Sequence, residues 1–385
     1  MFAKEDIKKF ETYATPFYYY DLGLLRKTLD TLRKAVDKYG YNVHYAVKAN
    51  ANPRILQVIS SYGFGADCVS GNEVQKAIEC GFPASKVVYA GVGKSDAEII
   101  NSLKHDIFCF NCESLQELEV INELAGNMGK VARVALRLNP GIDAHTNKCI
   151  NTGLADSKFG IDFNNMESTV KFALQLTSIK LVGLHYHIGS QILDPEPYRL
   201  LCLRSNEMQE KLAKMGVELP EINLGGGIGV DYYKPDENPI PDFDNFIESI
   251  HSNLQVRPGQ NVHFEFGRAV VGQCGTMVSK VLYIKPATQT TFAIVDAGFT
   301  DLIRPALYGS YHKIENITSG STETDKYDVV GPICESTDVF DKGITLPKTS
   351  RGDLLAFRTA GAYGEIMASQ YNLRKLPNVY YSDNQ

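Results

Sequence analysis

The sequence predicts an α/β fold, a closed (β/α)8 or TIM barrel, accompanied by a smaller and mostly antiparallel β-domain. Strand-like and helix-like segments alternate between Asn42 and Gly267, a pattern typical of parallel sheets whose connections are helices. The strand-like segments are apolar throughout, which indicates burial on both faces of the sheet. After Gly267 the long helical patterns stop, and short β-like segments separated by Gly, Pro and Thr follow. The chain has 385 residues, enough for both domains.

The barrel prediction rests on strand-like segments that recur along the chain. They are, in order, NVHYAVK (42–48), FGADCVS (64–70), KVVYAG (86–91), DIFCFN (106–111), VARVALRLN (131–139), KLVGLHYHIG (180–189), EINLGGG (221–227) and NVHFEFG (261–267). The intervening segments have the apolar spacing of helices, and several end in glycine, the usual residue after a helix C-terminus. Eight such units complete a barrel, which we expect to span residues 24–268.

The β-domain is predicted from residues 1–23 and 269–385. Its strand-like segments after the barrel are AVVGQCGTMVSKVLYIK (269–285), TTFAIVDAG (290–298), YDVVGPIC (327–334), GDLLAFRT (352–359) and NVYYSD (378–383). The opening segment TPFYYYDL (15–22) is also strand-like and precedes the first barrel helix. Both chain ends are therefore expected to contribute to a β-sandwich or β-barrel that contains no long amphipathic helix.

Composition excludes several classes of function. The net charge of −6 gives no basic field for a nucleic-acid partner, and no apolar run approaches the length that crosses a membrane. The first residues are charged and lack the apolar core of a signal peptide, so a cytoplasmic location is expected. The eight cysteines are scattered. The pair in CFNC (109–112) has no second pair or histidine cluster to complete a metal site, so we interpret these two cysteines as packing residues at a strand end. We predict no metal.

Polar residues stand where the predicted strands end, and in a barrel these ends form the active site. They are Lys48, Asp67, Arg137 with Asn139, His185 with His187, the glycines 225–227, and Glu265 with Arg268. Three of these residues also have a structural explanation: Asp67 can be a helix cap, Arg137 the partner of an acid, and His185 a packed histidine. The convergence of all of them on one rim favours a functional site.

These residue types suit one cofactor. The glycine triplet follows the seventh strand, where barrel enzymes often bind phosphate. The amine of Lys48, expected on the last residue of the first strand, can form a Schiff base with an aldehyde. Glu265 can keep a pyridine nitrogen protonated, and the imidazole of His187 can stack on a ring. Aldehyde, phosphate and pyridine together indicate pyridoxal 5'-phosphate.

The chain resembles the barrel-type, fold type III pyridoxal-phosphate decarboxylases that act on basic amino acids, relatives of alanine racemase. The resemblance covers nearly the whole chain and rests on nine motifs in the family's order: YAVKAN, GADCVSGNEV, NTGLADSKFGI, HYHIGSQI, NLGGGIGVDY, EFGRAVVG, RPALYGSYH, GPICESTDVF and AGAYG. Two motifs depart from the family pattern. Phe266 stands where proline is usual, and Thr337 stands where glycine is usual.

The resemblance implies a role for each matching residue. Lys48 carries the cofactor, His187 covers one face of its ring, and Glu265 holds the ring nitrogen protonated. The remaining cofactor-binding residues implied by the family are Ser190, Gly226, Gly227, Gly267, Arg268 and Tyr363. Whether Asp67 and Arg137 touch the cofactor or brace its neighbours stays open at this point.

By the same resemblance, Cys334 is the acid that returns a proton to the substrate. Its structural explanation, as for any isolated cysteine, is a small buried core residue. In the family its loop reaches the site from a partner subunit, so a homodimer with two shared active sites is expected. The other partner is a small amino-acid substrate.

The implied substrate is meso-2,6-diaminopimelate, whose loss of CO2 yields L-lysine in the last step of lysine biosynthesis. Its far end is a complete amino acid, and Arg268 and Arg304 are expected to clamp that carboxylate with planar guanidinium groups. Glu335 is expected to take the far ammonium group, with Tyr308 and Tyr363 nearby. The alternatives are another basic substrate (ornithine, arginine or carboxynorspermidine), a racemase, an inactive cofactor-binding relative, and an aldolase that uses Lys48 without the cofactor.

Overall fold

The computed structural model describes residues 2–143 and 158–383, and the chain divides into two compact units. The first, here the barrel unit, comprises Thr28–Gly229 and Asp242–Val270. The second, here the β unit, comprises Met1–Lys27, Val230–Pro241 and Val271–Gln385. The predicted division after residues 23 and 268 stays a prediction. Most of the motif NTGLADSKFGI lies outside the described residues.

The barrel is built from parallel strands that follow one another around a ring. They are β2 (Asn42–Ala46), β3 (Gly65–Cys68), β4 (Val87–Tyr89), β5 (Cys109–Cys112), β6 (Ala132–Asn139), β8 (Ile179–His185), β9 (Glu221–Asn223) and β10 (Asn261–Phe266). Pairing of β5 with β6 and of β10 with β2 closes the ring. The short strand β7 (Ile161–Asp162) pairs with the end of β6. The predicted (β/α)8 barrel is confirmed.

Helices connect these strands, as the alternating pattern predicts. They are α2 (Leu22–Asp37), α3 (Pro53–Ser60), α4 (Gly71–Glu79), α5 (Asp96–Lys104), α6 (Leu115–Asn127), α7 (Met166–Ala173), α8 (Glu196–Lys214), α9 (Phe243–Asn253) and α10 (Arg268–Val271). Side chains cap several of them: Asn52 accepts a bond from Arg54 N–H at α3, and Ser114 accepts one from Glu117 N–H at α6. Such caps satisfy backbone groups that a helix start leaves unpaired.

Parallel register brings polar residues of different strands to one level of the barrel. Asp67 pairs in register with Ala46, and Arg137 pairs with His185, which in turn pairs with Asn223. Within the barrel an apolar cluster of Val88, Cys109, Ala135 and Val182 is fully packed. Both cysteines of CFNC are buried in β5, which agrees with their interpretation as packing residues.

The β unit contains a mixed sheet built around one long strand. Its strands are β1 (Phe17–Tyr20), β11 (Gly275–Pro286), β12 (Thr291–Val295), β13 (Ile314–Asn316), β14 (Thr324–Val330), β15 (Val339–Pro347), β16 (Leu354–Phe357) and β17 (Asn378–Tyr381). Strand β11 pairs with β1, β12 and β16, all antiparallel. Strand β13 pairs with β16 and β14 pairs with β15, and both pairs are antiparallel. Strand β1 pairs with β17 and β12 pairs with β14, and both of these pairs are parallel. The sheet is therefore mostly antiparallel, as predicted.

The helices of this unit are short. They are α1 (Lys4–Phe10) and α11 (Arg304–Tyr308). Phe10 on α1 packs with Phe17, Tyr19 and Val278 in one buried cluster. Across residues 2–143 and 158–383, no helix has the length and apolar character needed to cross a membrane.

Candidate active site

Lys48 lies in a tight turn just beyond the first barrel strand. Strand β2 ends at Ala46, and Lys48 is the middle residue of the 3-10 turn Val47–Ala49. The prediction that Lys48 ends the strand was therefore wrong by two residues, because the Asn50 N–H bonds to the Val47 carbonyl and closes a turn. The Lys48 Nζ lies 3.3 Å from Asp67 Oδ2 and its side chain is partly exposed.

Asp67 is a fully buried carboxylate on β3. Burial, followed by the charge of Glu265, raises the pKa of Asp67 to about 7, although the nearby Lys48 ammonium opposes this shift. Its second oxygen, Oδ1, has no hydrogen-bond partner among the described residues. Asp67 is not the cap of the next helix: Ser70 has that role at α4, since its hydroxyl accepts the Glu73 N–H. Asp67 thus faces Lys48 with one oxygen free.

Glu265 is a buried carboxylate held by side chains from three other strands. Its Oε2 accepts a hydrogen bond from His185 Nε2 at 3.0 Å. Its Oε1 accepts bonds from Asn223 Nδ2 at 2.7 Å and from Asn111 Nδ2 at 3.2 Å. Burial alone would raise the pKa of Glu265, but His185 and Lys48 together hold it well below its usual range. Glu265 is consequently ionised and fixed in orientation.

The two histidines of HYHIG have different positions. His185 is the last residue of β8 and is buried against Glu265, while its Nδ1 has no partner among the described residues. It is therefore a packed residue that also supports the site. His187 lies beyond the strand end and is half-buried. Desolvation, followed by the charges of Lys48 and Arg137, lowers its pKa well below the ordinary value, so its imidazole is neutral.

Arg137 has an acidic partner in place. Its Nη1 donates to Glu113 Oε1 at 2.8 Å, and both groups are buried. Glu113 also accepts the Gly160 N–H, while the Arg137 guanidinium lies 4.8 Å from the Phe159 ring centroid. Arg137 therefore braces the barrel mouth through Glu113, which corresponds to its structural explanation. Its direct contact with a cofactor stays a prediction.

The glycine triplet allows a close approach of three loops. Gly225 and Gly227 have φ of 70° and 113°, values that side chains strongly disfavour. A Cβ on Gly226 would lie 1.7 Å from the Glu265 carbonyl oxygen. A Cβ on Gly267 would lie 2.9 Å from the Ala49 side chain, which places this glycine beside the turn that carries Lys48.

A polar pair accompanies the glycines. Ser190 Oγ accepts hydrogen bonds from Arg268 Nε at 3.3 Å and Nη2 at 3.1 Å. A hydroxyl and a guanidinium beside glycine backbone are ordinary ligands of a phosphate group. Arg268 is buried as the first residue of α10.

These groups fit pyridoxal phosphate. An amine at Lys48, an ionised carboxylate at Glu265 and a neutral imidazole at His187 match an aldehyde, a ring nitrogen and a ring face. Asp67 Oδ1 is a buried acceptor with no bond among the described residues, which the site is expected to use. Ser190 and Arg268 supply polar groups for the phosphate.

The remaining predicted residues belong to the β unit. Arg304 starts α11 and is buried; its Nη1 donates to the Tyr232 hydroxyl at 2.8 Å. Tyr308 ends the same helix and is half-buried. Tyr363 has φ of 56°, an uncommon conformation for a bulky residue.

Cys334 and Glu335 lie in an exposed loop between β14 and β15. The Cys334 N–H donates to Asn372 Oδ1, and Glu335 Oε1 accepts the Tyr371 hydroxyl at 2.7 Å. Every other cysteine in the described ranges is buried. Cys334 is therefore not a small core residue, which was its structural explanation.

Sequence reasoning missed three residues of the site: Asn111, Asn223 and Glu113. Asn223 precedes the glycine triplet and resembles a turn residue, while Asn111 lies within the CFNC segment interpreted as packing. The available signal was their position at the ends of parallel strands, the same signal that identified Asp67.

Comparison with known proteins identifies the family of this chain. Residues 22–272 match the family model described as "Pyridoxal-dependent decarboxylase, pyridoxal binding domain". The chain therefore belongs to the pyridoxal-dependent decarboxylases, and its cofactor is pyridoxal phosphate.

Several relatives are diaminopimelate decarboxylases. A diaminopimelate decarboxylase from Bacteroides thetaiotaomicron is 57% identical over 98% of both chains. One from Aquifex aeolicus is 38% identical over 94% of this chain and 86% of its own length. The crystal structure of diaminopimelate decarboxylase from Helicobacter pylori complexed with L-lysine has a TM-score of 0.93 at 37% identity, covering 99% of this chain and 94% of that one. Within its family, the chain groups with the diaminopimelate decarboxylases.

Proposed function

We propose that this enzyme releases one carboxylate of meso-2,6-diaminopimelate as CO2 and yields L-lysine. The observation that carries this proposal is the barrel rim itself, where Lys48 faces Asp67 and an ionised Glu265 is held by three donors. The identity of 57% to a diaminopimelate decarboxylase over nearly the full chain supports the choice of substrate.

Pyridoxal phosphate, when bound, supplies an aldehyde for the substrate amine and a ring that accepts the electron pair left by departing CO2. Lys48 would hold the cofactor through its Nζ. Asp67 lies 3.3 Å from that nitrogen, and with a pKa of about 7 it can take up or release a proton there near neutral pH. Glu265, being ionised, would keep a proton on the ring nitrogen. His187 would cover the ring as a neutral imidazole.

A cradle for the phosphate is proposed beside the Lys48 turn. Ser190 and Arg268 offer a hydroxyl and a guanidinium, and Gly226, Gly227 and Gly267 offer backbone that no side chain blocks. Tyr363 is proposed as a further cofactor ligand. These contacts would fix the ring so that the breaking bond lies perpendicular to it.

Substrate selection is proposed to depend on the far carboxylate. A planar guanidinium binds a carboxylate through two parallel hydrogen bonds, and Arg304 and Arg268 provide such groups. Tyr308 adds a hydroxyl and Glu335 a negative charge for the far ammonium group. Substrates that lack the far carboxylate, such as ornithine, would not form these charge-assisted hydrogen bonds and would therefore bind more weakly.

Reprotonation is assigned to Cys334 of a partner subunit, and the working enzyme is proposed to be a homodimer with shared sites. Support comes from the exposure of Cys334 and Glu335 in the single chain, whereas the other described cysteines are buried. A thiol that serves a neighbouring subunit must lie on the surface of its own chain. A cytoplasmic location is proposed as well, because the described cysteines are free thiols, as in reducing compartments.

The test is CO2 release from meso-diaminopimelate, ornithine, arginine and lysine, compared side by side with the purified enzyme and added pyridoxal phosphate. We expect release from diaminopimelate at least about a hundredfold above the others. Lys48→Ala should abolish turnover and the covalent cofactor adduct detected by mass spectrometry after reduction. Comparable release from ornithine or arginine would overturn the substrate assignment, and turnover by Lys48→Ala would overturn the role of Lys48.

A further inference from the structure

Arg304 is oriented by a set of neutral groups within the β unit. Its Nη1 donates to the Tyr232 hydroxyl at 2.8 Å and lies 3.2 Å from His312 Nε2, and its Nη2 donates to Ser310 Oγ at 3.3 Å. Arg304 and His312 are both about nineteen-twentieths buried, at 5% and 3% exposure. A long, flexible side chain is thereby held in one orientation before any ligand arrives.

The hydrogen bonds of His312 determine its protonation. Its Nδ1 lies 3.0 Å from the Arg358 carbonyl oxygen, which can only accept, so Nδ1 carries the hydrogen. Its Nε2 faces the Arg304 guanidinium, which can only donate, so Nε2 must present its lone pair. His312 is therefore a neutral imidazole in the Nδ1–H tautomer.

Other described groups lie close to this imidazole. The Tyr232 ring meets the His312 ring edge to face at 5.3 Å. The Arg358 side chain is paired with Asp236 and Glu315 at 2.8 Å each, and Lys313, the next residue, pairs with Glu315 at 2.6 Å. The guanidinium of Arg304 meets His312 directly.

The geometry points to His312 as a positioning residue that aims Arg304 at the far carboxylate of the substrate. This inference rests on the proposed role of Arg304 and deepens it. The Nε2 lone pair is one of the acceptors that fix Arg304 Nη1, at 3.2 Å. Its loss therefore leaves the guanidinium less firmly oriented, and affinity for the carboxylate-bearing ligand falls.

Two matched ligands isolate this effect. L-lysine keeps the far carboxylate of the substrate, whereas cadaverine is the same diamine without it. The ratio of their dissociation constants reports the carboxylate clamp alone, because other groups in the site that titrate act on both ligands. We expect wild type, measured by calorimetry on the holoenzyme, to bind L-lysine more tightly than cadaverine, and this preference to fall about tenfold once the acceptor at residue 312 is lost.

Two variants separate positioning from simple structural support. His312→Gln keeps an acceptor for Arg304 Nη1, so it should retain the wild-type preference for L-lysine over cadaverine. His312→Phe removes the acceptor, and it should weaken L-lysine about tenfold at every pH while leaving cadaverine unchanged. His251→Gln alters an exposed histidine of the barrel unit and should retain the wild-type ratio.

The possible results distinguish this inference from the proposed function. If His312→Phe keeps the wild-type ratio, or if His312→Gln loses it as fully as His312→Phe does, the positioning role of His312 is refuted while Arg304 retains its own. The variant Arg304→Lys tests the proposed binding of the far carboxylate by Arg304, because this variant should lose the preference for L-lysine over cadaverine. If wild type shows no such preference at any pH and Arg304→Lys changes nothing, both the clamp and the role of His312 are refuted.

Discussion

Asn223→Ala tests whether the Glu265 carboxylate is held as the structure indicates. The variant removes the shortest bond to Glu265 Oε1, 2.7 Å, and also the bond that Asn223 Oδ1 accepts from the Gly225 N–H at 2.9 Å. A hydrogen bond to a buried charge contributes about 1.5 to 3 kcal/mol, and a neutral one about 0.5 to 1.5. We therefore expect a loss of about 2 to 4.5 kcal/mol in the free energy of unfolding of the barrel.

Asn111→Ala is the matched control. It removes the same side-chain volume from a similarly buried strand position, so the cavity term is common to both variants. Its side chain makes the longer bond to Glu265, at 3.2 Å. Asn111→Ala should consequently cost about 1 kcal/mol less than Asn223→Ala.

The assay is urea unfolding of the cofactor-free protein, followed by far-ultraviolet circular dichroism because the chain contains no tryptophan. The pH dependence supplies a second readout. The pKa of Glu265 is depressed in the folded protein, so its contribution is present above the unfolded pKa and is lost as the pH falls through the folded value. Both variants should lose stability at a higher pH than wild type. Equal stability of wild type and Asn223→Ala at neutral pH would refute the three-donor account of Glu265.

Two further predictions concern the other ionisable groups. The folded pKa of Asp67 is raised to about 7, so the native state holds an extra proton between the unfolded pKa of about 4 and pH 7, and the stability of the cofactor-free protein falls as the pH rises through that window. Asp67→Asn should remove this slope in urea titrations at several pH values; an unchanged slope would assign it to another group. Cys334→Ala should slow product formation at least about tenfold while leaving the dissociation constant of pyridoxal phosphate unchanged, with Cys80→Ala as a matched cysteine control. Loss of cofactor binding in Cys334→Ala would contradict its role as a proton donor.

The barrel could be predicted from sequence because its strands are buried on both faces. A segment such as KLVGLHYH must be apolar over its length, and that signal does not depend on distant residues. The position of Lys48 was less predictable. The turn at Val47–Ala49 is closed by a bond from the Asn50 N–H to the Val47 carbonyl, and the residues of this turn continue the apolar pattern of the strand. The sequence pattern alone therefore does not show where the strand ends.

The support of the site could not be predicted, because it depends on contacts between strands far apart in sequence. Asn111 and Glu265 are separated by 154 positions and meet inside the barrel. His185 fitted the pattern of a packed histidine equally well, and its contact with Glu265 emerges from the strand order around the ring. The phenylalanine at position 266, where the family usually has proline, is likewise explained only by the structure. Its ring stacks on Phe264 at 5.5 Å within a buried aromatic cluster.

The barrel mouth holds two buried carboxylates whose environments drive their protonation in opposite directions. Glu265 accepts bonds from three side chains and stays ionised, so it suits a permanent cationic partner such as a protonated ring nitrogen. Among the described residues, Asp67 faces the Lys48 ammonium and its Oδ1 accepts no hydrogen bond, and its pKa of about 7 lets it exchange protons near neutral pH. Since the negative charge of Glu265 itself raises the pKa of Asp67, the two roles depend on each other. Neutralising Glu265 would therefore lower the pKa of Asp67 as well as leave the ring nitrogen without its partner.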